Sequence, residues 1–119
     1  MSRKTVLIVD EGRLARIMMK AVIKLHHLDW QVLEAANAAD ALAMAENRRV
    51  DVIAMDEDVP GSDGLELGRQ LRAKLPHARI SLITRHVATT PLPEAADAGL
   101  RLMPKPLTDE RIRELVDAA

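Results

Sequence analysis

The stretch Val52-Ile53-Ala54-Met55-Asp56-Glu57-Asp58 decides how this chain is to be read, because an unbroken apolar run passes directly into consecutive carboxylates. A run this short, without polar alternation, suits a strand buried on both faces, as in a parallel sheet covered by helices. In open sheets of that kind, sites form beyond the carboxyl ends of the strands.

The same pattern recurs on either side. Residues 6–9 lead into Asp10-Glu11, residues 80–83 into Thr84, and the weaker run 100–103 into Pro104, Lys105 and Pro106. Residues 30–35 form a further candidate strand. Between the strands, Leu14, Ile17, Met18, Ala21, Val22 and Leu25 recur at intervals of three and four and form one apolar stripe on a helix. Arg13, Arg16, Lys20 and Lys24 make its polar face. Asn37 can cap a second helix carrying Ala41, Leu42 and Ala45, and a third starts near Leu65 and reaches about Lys74. A fourth is shortened to about residues 94–98 by Thr89-Thr90-Pro91-Leu92-Pro93. Thr108, followed by Asp109 and Glu110, starts a fifth, since a hydroxyl caps free N–H groups and carboxylates face the positive end of the helix dipole. Ile112, Leu115 and Val116 supply its buried face. Strand and helix alternate throughout, which predicts an α/β sandwich with a parallel central sheet and right-handed crossovers.

With 119 residues the chain has room for one compact domain and one core. The net charge of -1 offers no broad basic field, so direct nucleic-acid binding is not expected. Without cysteine there is neither a disulfide framework nor a thiolate metal site, and no apolar run is long enough to cross a bilayer. The first residues do not read as a secretory signal, so a cytoplasmic location and no membrane contact are expected. Trp30 is the only aromatic residue, which leaves the core to Leu, Ile, Val, Met and Ala.

The strand ends bring an acidic cluster, a hydroxyl and an ammonium to one edge. Convergent carboxylates repel one another unless they hold a cation, and an all-oxygen ligand set suits Mg²⁺. A lysine and a hydroxyl opposite the metal are the donors that neutralise a phosphoryl group in transfer. Any one of these acidic residues taken alone reads as a solvated loop residue. Their arrangement across separate strand ends is what points to chemistry.

The strings Val9-Asp10-Glu11, Met55-Asp56 through Val59-Pro60 and Asp63-Gly64, Ile83-Thr84, and Lys105-Pro106 resemble the signature of CheY-like receiver domains, in order and spacing. Arg16 also falls where that family often has arginine. The resemblance covers nearly the whole chain. It implies a flavodoxin-like (βα)5 sandwich with strand order 2-1-3-4-5, and a single receiver domain over residues 1–119 that is compatible with being the N-terminal part of a longer protein.

The resemblance further implies a two-component signalling role. Asp56 would be the phosphoacceptor, taking its phosphoryl group from a histidine kinase or phosphotransfer protein in a Mg²⁺-dependent step, without the chain being an enzyme in the ordinary sense. Asp10 and Glu11 would organise the metal with Asp56 and the backbone carbonyl of Asp58. Thr84 would hydrogen-bond the phosphoryl group, and Lys105 would pair with it, placed by a Lys-Pro bond that is cis in the family. Output would pass to an effector domain or protein, and the face of the fourth helix, fifth strand and fifth helix would be available for homodimerisation.

Several residues depart from the family pattern. Glu11 replaces the usual aspartate, and Asp58 adds a carboxylate beside the acceptor. Arg85 stands where a small residue is usual, and Leu102 where many members carry a switching Tyr or Phe. Pro104 removes a backbone donor beside the lysine. Arg85 is therefore expected to gate Asp56 in place of the aromatic switch. A pseudo-receiver, whose surface is read regardless of phosphorylation, is the competing reading, and a phosphoryl hydrolase is a third. His26, His27, His77 and His86 lack ligand spacing and read as surface residues, with His86 near enough to the site to influence water attack. Met18, Met19 and Met44 read as core or helix-surface filling.

Overall fold

The computed structural model describes residues 3–85 and 92–117. Elements alternate along the chain as β1 (Thr5–Val9), α1 (Arg13–His26), β2 (Gln31–Ala35), α2 (Ala38–Glu46), β3 (Val52–Asp56), α3 (Gly64–Lys74), β4 (Arg79–Thr84), α4 (Leu92–Asp97), β5 (Leu100–Pro104) and α5 (Asp109–Asp117). The strands form one parallel sheet, as their alternation with helices predicts, in the order β2-β1-β3-β4-β5 that the family resemblance implies.

Alternate residues of each strand point to opposite faces, so each apolar run feeds two cores. On one face Leu7, Val9, Ile53, Met55 and Leu82 pack with Ala41, Ala45, Leu67 and Leu71 of α2 and α3. On the other, Val6, Ile8, Val52 and Ala54 pack with Met19 and Ile23 of α1 and Ile112, Leu115 and Val116 of α5. Trp30 lies in this second core, 7% exposed, with the His27 ring stacked on it at 3.8 Å. His27 is thus half-buried and not the surface residue its spacing suggested, whereas His26 and His77 are exposed and His86 lies outside the described residues.

The expected helix starts hold. The Asn37 side chain accepts from the Asp40 N–H at 2.8 Å, and the Thr108 hydroxyl accepts from the Arg111 N–H at 3.1 Å. Asp63 caps α3, accepting from Leu65 and Glu66 at 2.8 and 3.1 Å. Helix α3 lies close against the sheet through Gly68, where a Cβ would fall 2.6 Å from a Leu100 methyl. Helix α4 begins at Leu92, earlier than expected, because proline is tolerated in a first helical turn and Pro93 occupies one.

One expectation is overturned. Of the α1 stripe only Val22 packs against the core: Met19 and Ile23 are buried, while Leu14, Ile17, Met18 and Leu25 are 70%, 50%, 60% and 75% exposed. Successive residues are about 100° apart on a helix. The stripe therefore sits one step round from the buried face, on a helix that carries apolar residues in both places. Arg16, expected on the polar side, fixes the rotation, since its guanidinium reaches inward to the Asp10 carbonyl at 2.6 Å and to Glu34 at 3.1 Å. Among the described residues no helix is long and apolar enough to cross a membrane.

Candidate functional site

Strands β1, β3, β4 and β5 lie side by side, and their carboxyl ends share one edge. The register pairs Val9 with Met55, Asp56 with Ile83, and Thr84 with Pro104. Asp10, Asp56, Thr84 and Lys105 therefore stand at, or one residue beyond, the ends of neighbouring strands on one edge of the sheet.

Asp56 is 8% exposed, and the Lys105 ammonium straddles its carboxylate at 2.9 Å from Oδ1 and 3.1 Å from Oδ2. Lys105 is held from below, where its backbone N–H donates to the Thr84 carbonyl at 3.0 Å, and its peptide bond to Pro106 is cis. The Asp58 N–H donates to Asp56 Oδ1 at 3.3 Å, while the Asp58 side chain is exposed.

Asp10 is anchored through its backbone, donating to the Ala35 carbonyl at 3.0 Å and accepting from Arg16 at 2.6 Å. Its Oδ1 accepts from the Gly12 N–H at 2.8 Å. Burial pushes the Asp10 carboxyl above the usual aspartate range, and the Asp56 carboxylate beside it pushes the same way, against the Gly12 hydrogen bond and the Lys105 charge. The two carboxyls border one groove. Two such groups are satisfied together only by a proton or a cation between them.

Glu11 is exposed, and among the described residues no three or more His, Cys, Asp or Glu side chains gather around one point. The structure thus joins Asp10 to Asp56 and leaves the Glu11 and Asp58 side chains at the rim. Leu102 is half-buried against the core. A groove of about 580 Å³ is lined by Asp10, Asp56 and Lys105 together with Met18 and Ala21 of α1.

Glu57 was given no role by sequence reasoning. Its carboxylate takes both donors at the end of β4: the Thr84 hydroxyl donates to Oε2, and the Arg85 N–H donates to Oε1 at 3.2 Å. Thr84 itself has no solvent exposure. Arg85 enters the site through its backbone, and its side chain is exposed. The signal was present, since pairing Asp56 with Ile83 in a parallel ladder brings position 57 beside position 84.

The chain matches the response regulator receiver domain family over residues 6–117. It is 34% identical over 111 residues to the cyclic di-GMP phosphodiesterase response regulator RpfG of Xanthomonas campestris pv. campestris, covering 91% of this chain and 29% of that protein. It is 29% identical over 115 residues to the chemotaxis protein CheY of Listeria monocytogenes, covering 95% of both. The crystal structure of a response regulator protein from Burkholderia pseudomallei, with a phosphorylated aspartic acid, calcium ion and citrate, is similar at a TM-score of 0.80 and 25% identity, covering 95% of this chain and 66% of that one. The chain therefore spans less than a third of the first relative and nearly all of the second. With the sheet order and the acidic strand-end edge already in place, the match along almost its whole length means that the chain belongs to the response regulator receiver domains.

Proposed function

We propose that Asp56 accepts a phosphoryl group from a phosphohistidine on a partner kinase or phosphotransfer protein, with a divalent cation, Mg²⁺, held at Asp10 and Asp56. One observation carries this reading: a single ammonium spans both oxygens of a buried carboxylate that has a second carboxyl beside it. The donor set fits a hard cation, being all oxygen, with the Asp58 carbonyl completing it and the exposed Glu11 acting through water. Such a cation would neutralise the developing charge on the phosphoryl oxygens.

The chain's own residues do the rest. One Asp56 oxygen attacks phosphorus, the phosphorus–nitrogen bond of the donor breaks, and the imidazole leaves with that electron pair and takes up a proton. Lys105, freed from that oxygen, pairs with the transferred group. Thr84 offers its hydroxyl on the β4 side. The chain is then an acceptor that helps its own phosphorylation and not a turnover enzyme. The Burkholderia pseudomallei protein, with its phosphorylated aspartic acid and calcium ion, supports this reading.

Output would reach an effector domain or protein in the cytoplasm. A second copy of this chain could pair across α4, β5 and α5, where α4 carries exposed acidic Glu94 and Asp97 and β5 carries exposed basic Arg101, so that a two-fold contact would match unlike charges. Concentration-dependent mass in solution tests that pairing.

The primary test is intact mass after incubation with Mg²⁺ and a small phosphodonor. The wild type should gain one phosphoryl group and Asp56→Asn none, because an amide oxygen does not form the acyl phosphate. Equal labelling of both would overturn the assignment. The pseudo-receiver reading draws on Glu57, whose carboxylate already fills the donors that a phosphoryl group would use. No labelling of the wild type would favour it.

A further inference from the structure

Besides Lys105 and the Asp58 N–H, two donors lie at the end of β4, the Thr84 hydroxyl and the Arg85 N–H. Both are engaged by the residue next to Asp56. Glu57 accepts from the Thr84 hydroxyl through one oxygen and from the Arg85 N–H through the other. Its own N–H donates to the Ile83 carbonyl at 3.1 Å, so its backbone is fixed between the two strands. A carboxylate in this position presents negative oxygens to a hydroxyl and a backbone N–H, the same hydrogen-bonding demand that a phosphoryl group makes.

We propose that Glu57 is an intramolecular stand-in for the phosphoryl group, holding Thr84 and the Arg85 N–H in the unphosphorylated chain and displaced from them when Asp56 is phosphorylated. This rests on the reading of Asp56 as the acceptor. Glu57 then acts as a positioning residue that opposes phosphorylation in two ways. The incoming group must take over two occupied donors, and it must sit beside a like charge.

The displaced carboxylate is also a moving part. With Leu102 in place of a hydrogen-bonding aromatic, no side chain of that kind can follow Thr84 inward. Glu57 changes partners instead, and the Arg85 backbone at the end of β4 changes with it. The gate expected of the Arg85 guanidinium is thus assigned to the Glu57 carboxylate, with Arg85 contributing its N–H. The plainer alternative is that Glu57 only satisfies a buried hydroxyl and has no influence on Asp56.

The two differ in kinetics. Phosphorylation by phosphoramidate with Mg²⁺ would be timed by intact mass for wild type, Glu57→Ala, Glu57→Gln, Thr84→Ala and the Glu57→Ala/Thr84→Ala double variant. Glu57→Ala should be roughly tenfold faster than wild type, the scale set by removing a competing charge-assisted hydrogen bond. Glu57→Gln should fall between them, since it keeps an acceptor oxygen and loses the charge. In the Thr84→Ala background the acceleration should shrink to what the like charge and the Arg85 N–H contribute.

Amide NMR of the unphosphorylated proteins should show the Arg85 amide shifting in Glu57→Ala while β1 and β3 amides stay in place. If Glu57→Ala loses core dispersion, the nearly isosteric Glu57→Gln decides. A wild-type rate in the folded variants, or the same acceleration with and without Thr84, overturns the stand-in and leaves Asp56 as acceptor. Absence of label on every protein overturns the acceptor reading and the stand-in with it.

Discussion

Lys105 lies 2.9 and 3.1 Å from the two carboxylate oxygens of Asp56, so it is shared between them and not committed to either. It occupies the place of a counter-ion that must partly yield whenever the carboxylate gains another cationic partner. Lys105→Met keeps most of the apolar stem and removes the charge. Phosphorylation by a small donor should slow by about 100-fold, the usual scale for deleting one donor to a transition-state oxygen. Mg²⁺ should bind roughly threefold more tightly, because a neighbouring like charge is gone. Intact-mass kinetics and metal titration by NMR read the two effects. Slower phosphorylation with weaker metal binding would mean that Lys105 supports the fold of the site and not the charge balance.

Asp10 supplies a prediction with a pH sign. Its carboxyl is raised above the usual range, chiefly by burial and further by Asp56. Below the ordinary aspartate value, near 3.8, it is protonated in folded and unfolded chains alike, so it adds no penalty there. As pH rises through the folded value, the unfolded chain releases its proton more readily and stability falls. In metal-free buffer, Asp10→Asn should therefore be more stable than wild type at pH 7 and equal to it near pH 3. Saturating Mg²⁺ should reverse the order at pH 7, since the cation binds the folded wild type. Urea midpoints across pH, with and without metal, measure this. A wild type more stable than Asp10→Asn at pH 7 without metal would contradict it.

Gly68 makes a purely structural prediction. Any Cβ on it would enter the Leu100 side chain, with atoms at 2.6 and 2.8 Å. Gly68→Val should cost roughly 2 kcal/mol, within the range for overpacking a core. The denaturant midpoint should drop without change in the slope. A midpoint equal to wild type would show that the Leu100 side chain or α3 gives way freely.

Much of this fold was legible because four of the five strands are short apolar runs that lead into polar residues of the candidate site. Buried strands need no alternation, and residues 6–9 and 52–55 therefore stood out. The helix caps at Asn37 and Thr108 were legible for a local reason, as each depends on one side chain and the N–H three residues on. The rotation of α1 was not legible, because Leu14, Met18, Met19 and Ile23 are alike in polarity and only the Arg16 contacts choose between faces. Glu57 was passed over for a different cause. It neighbours the acceptor in sequence, yet its partners lie on β4, and only the inter-strand register brings them together.

The exposed face of α1 yields the last prediction. Leu14, Ile17, Met18 and Leu25 are all at least half exposed, an expensive arrangement for a surface helix unless something covers it. Met18 and Ala21 also line the groove that Asp56 lines, so the apolar surface is continuous with the site. On the function proposed for Asp56, the donor histidine would approach along that groove, with the helix that carries it against α1. A small phosphodonor needs no such surface. In Ile17→Ser/Met18→Ser, phosphorylation by the partner kinase or phosphotransfer protein should fall roughly tenfold, the loss expected from truncating central apolar contacts. Phosphorylation by phosphoramidate should stay at the wild-type rate, and stability should change by no more than about 0.5 kcal/mol per exposed position. A partner-dependent rate equal to wild type would remove α1 from the docking surface. An equal fall with both donors would mean that the substitutions disturb Asp56 itself.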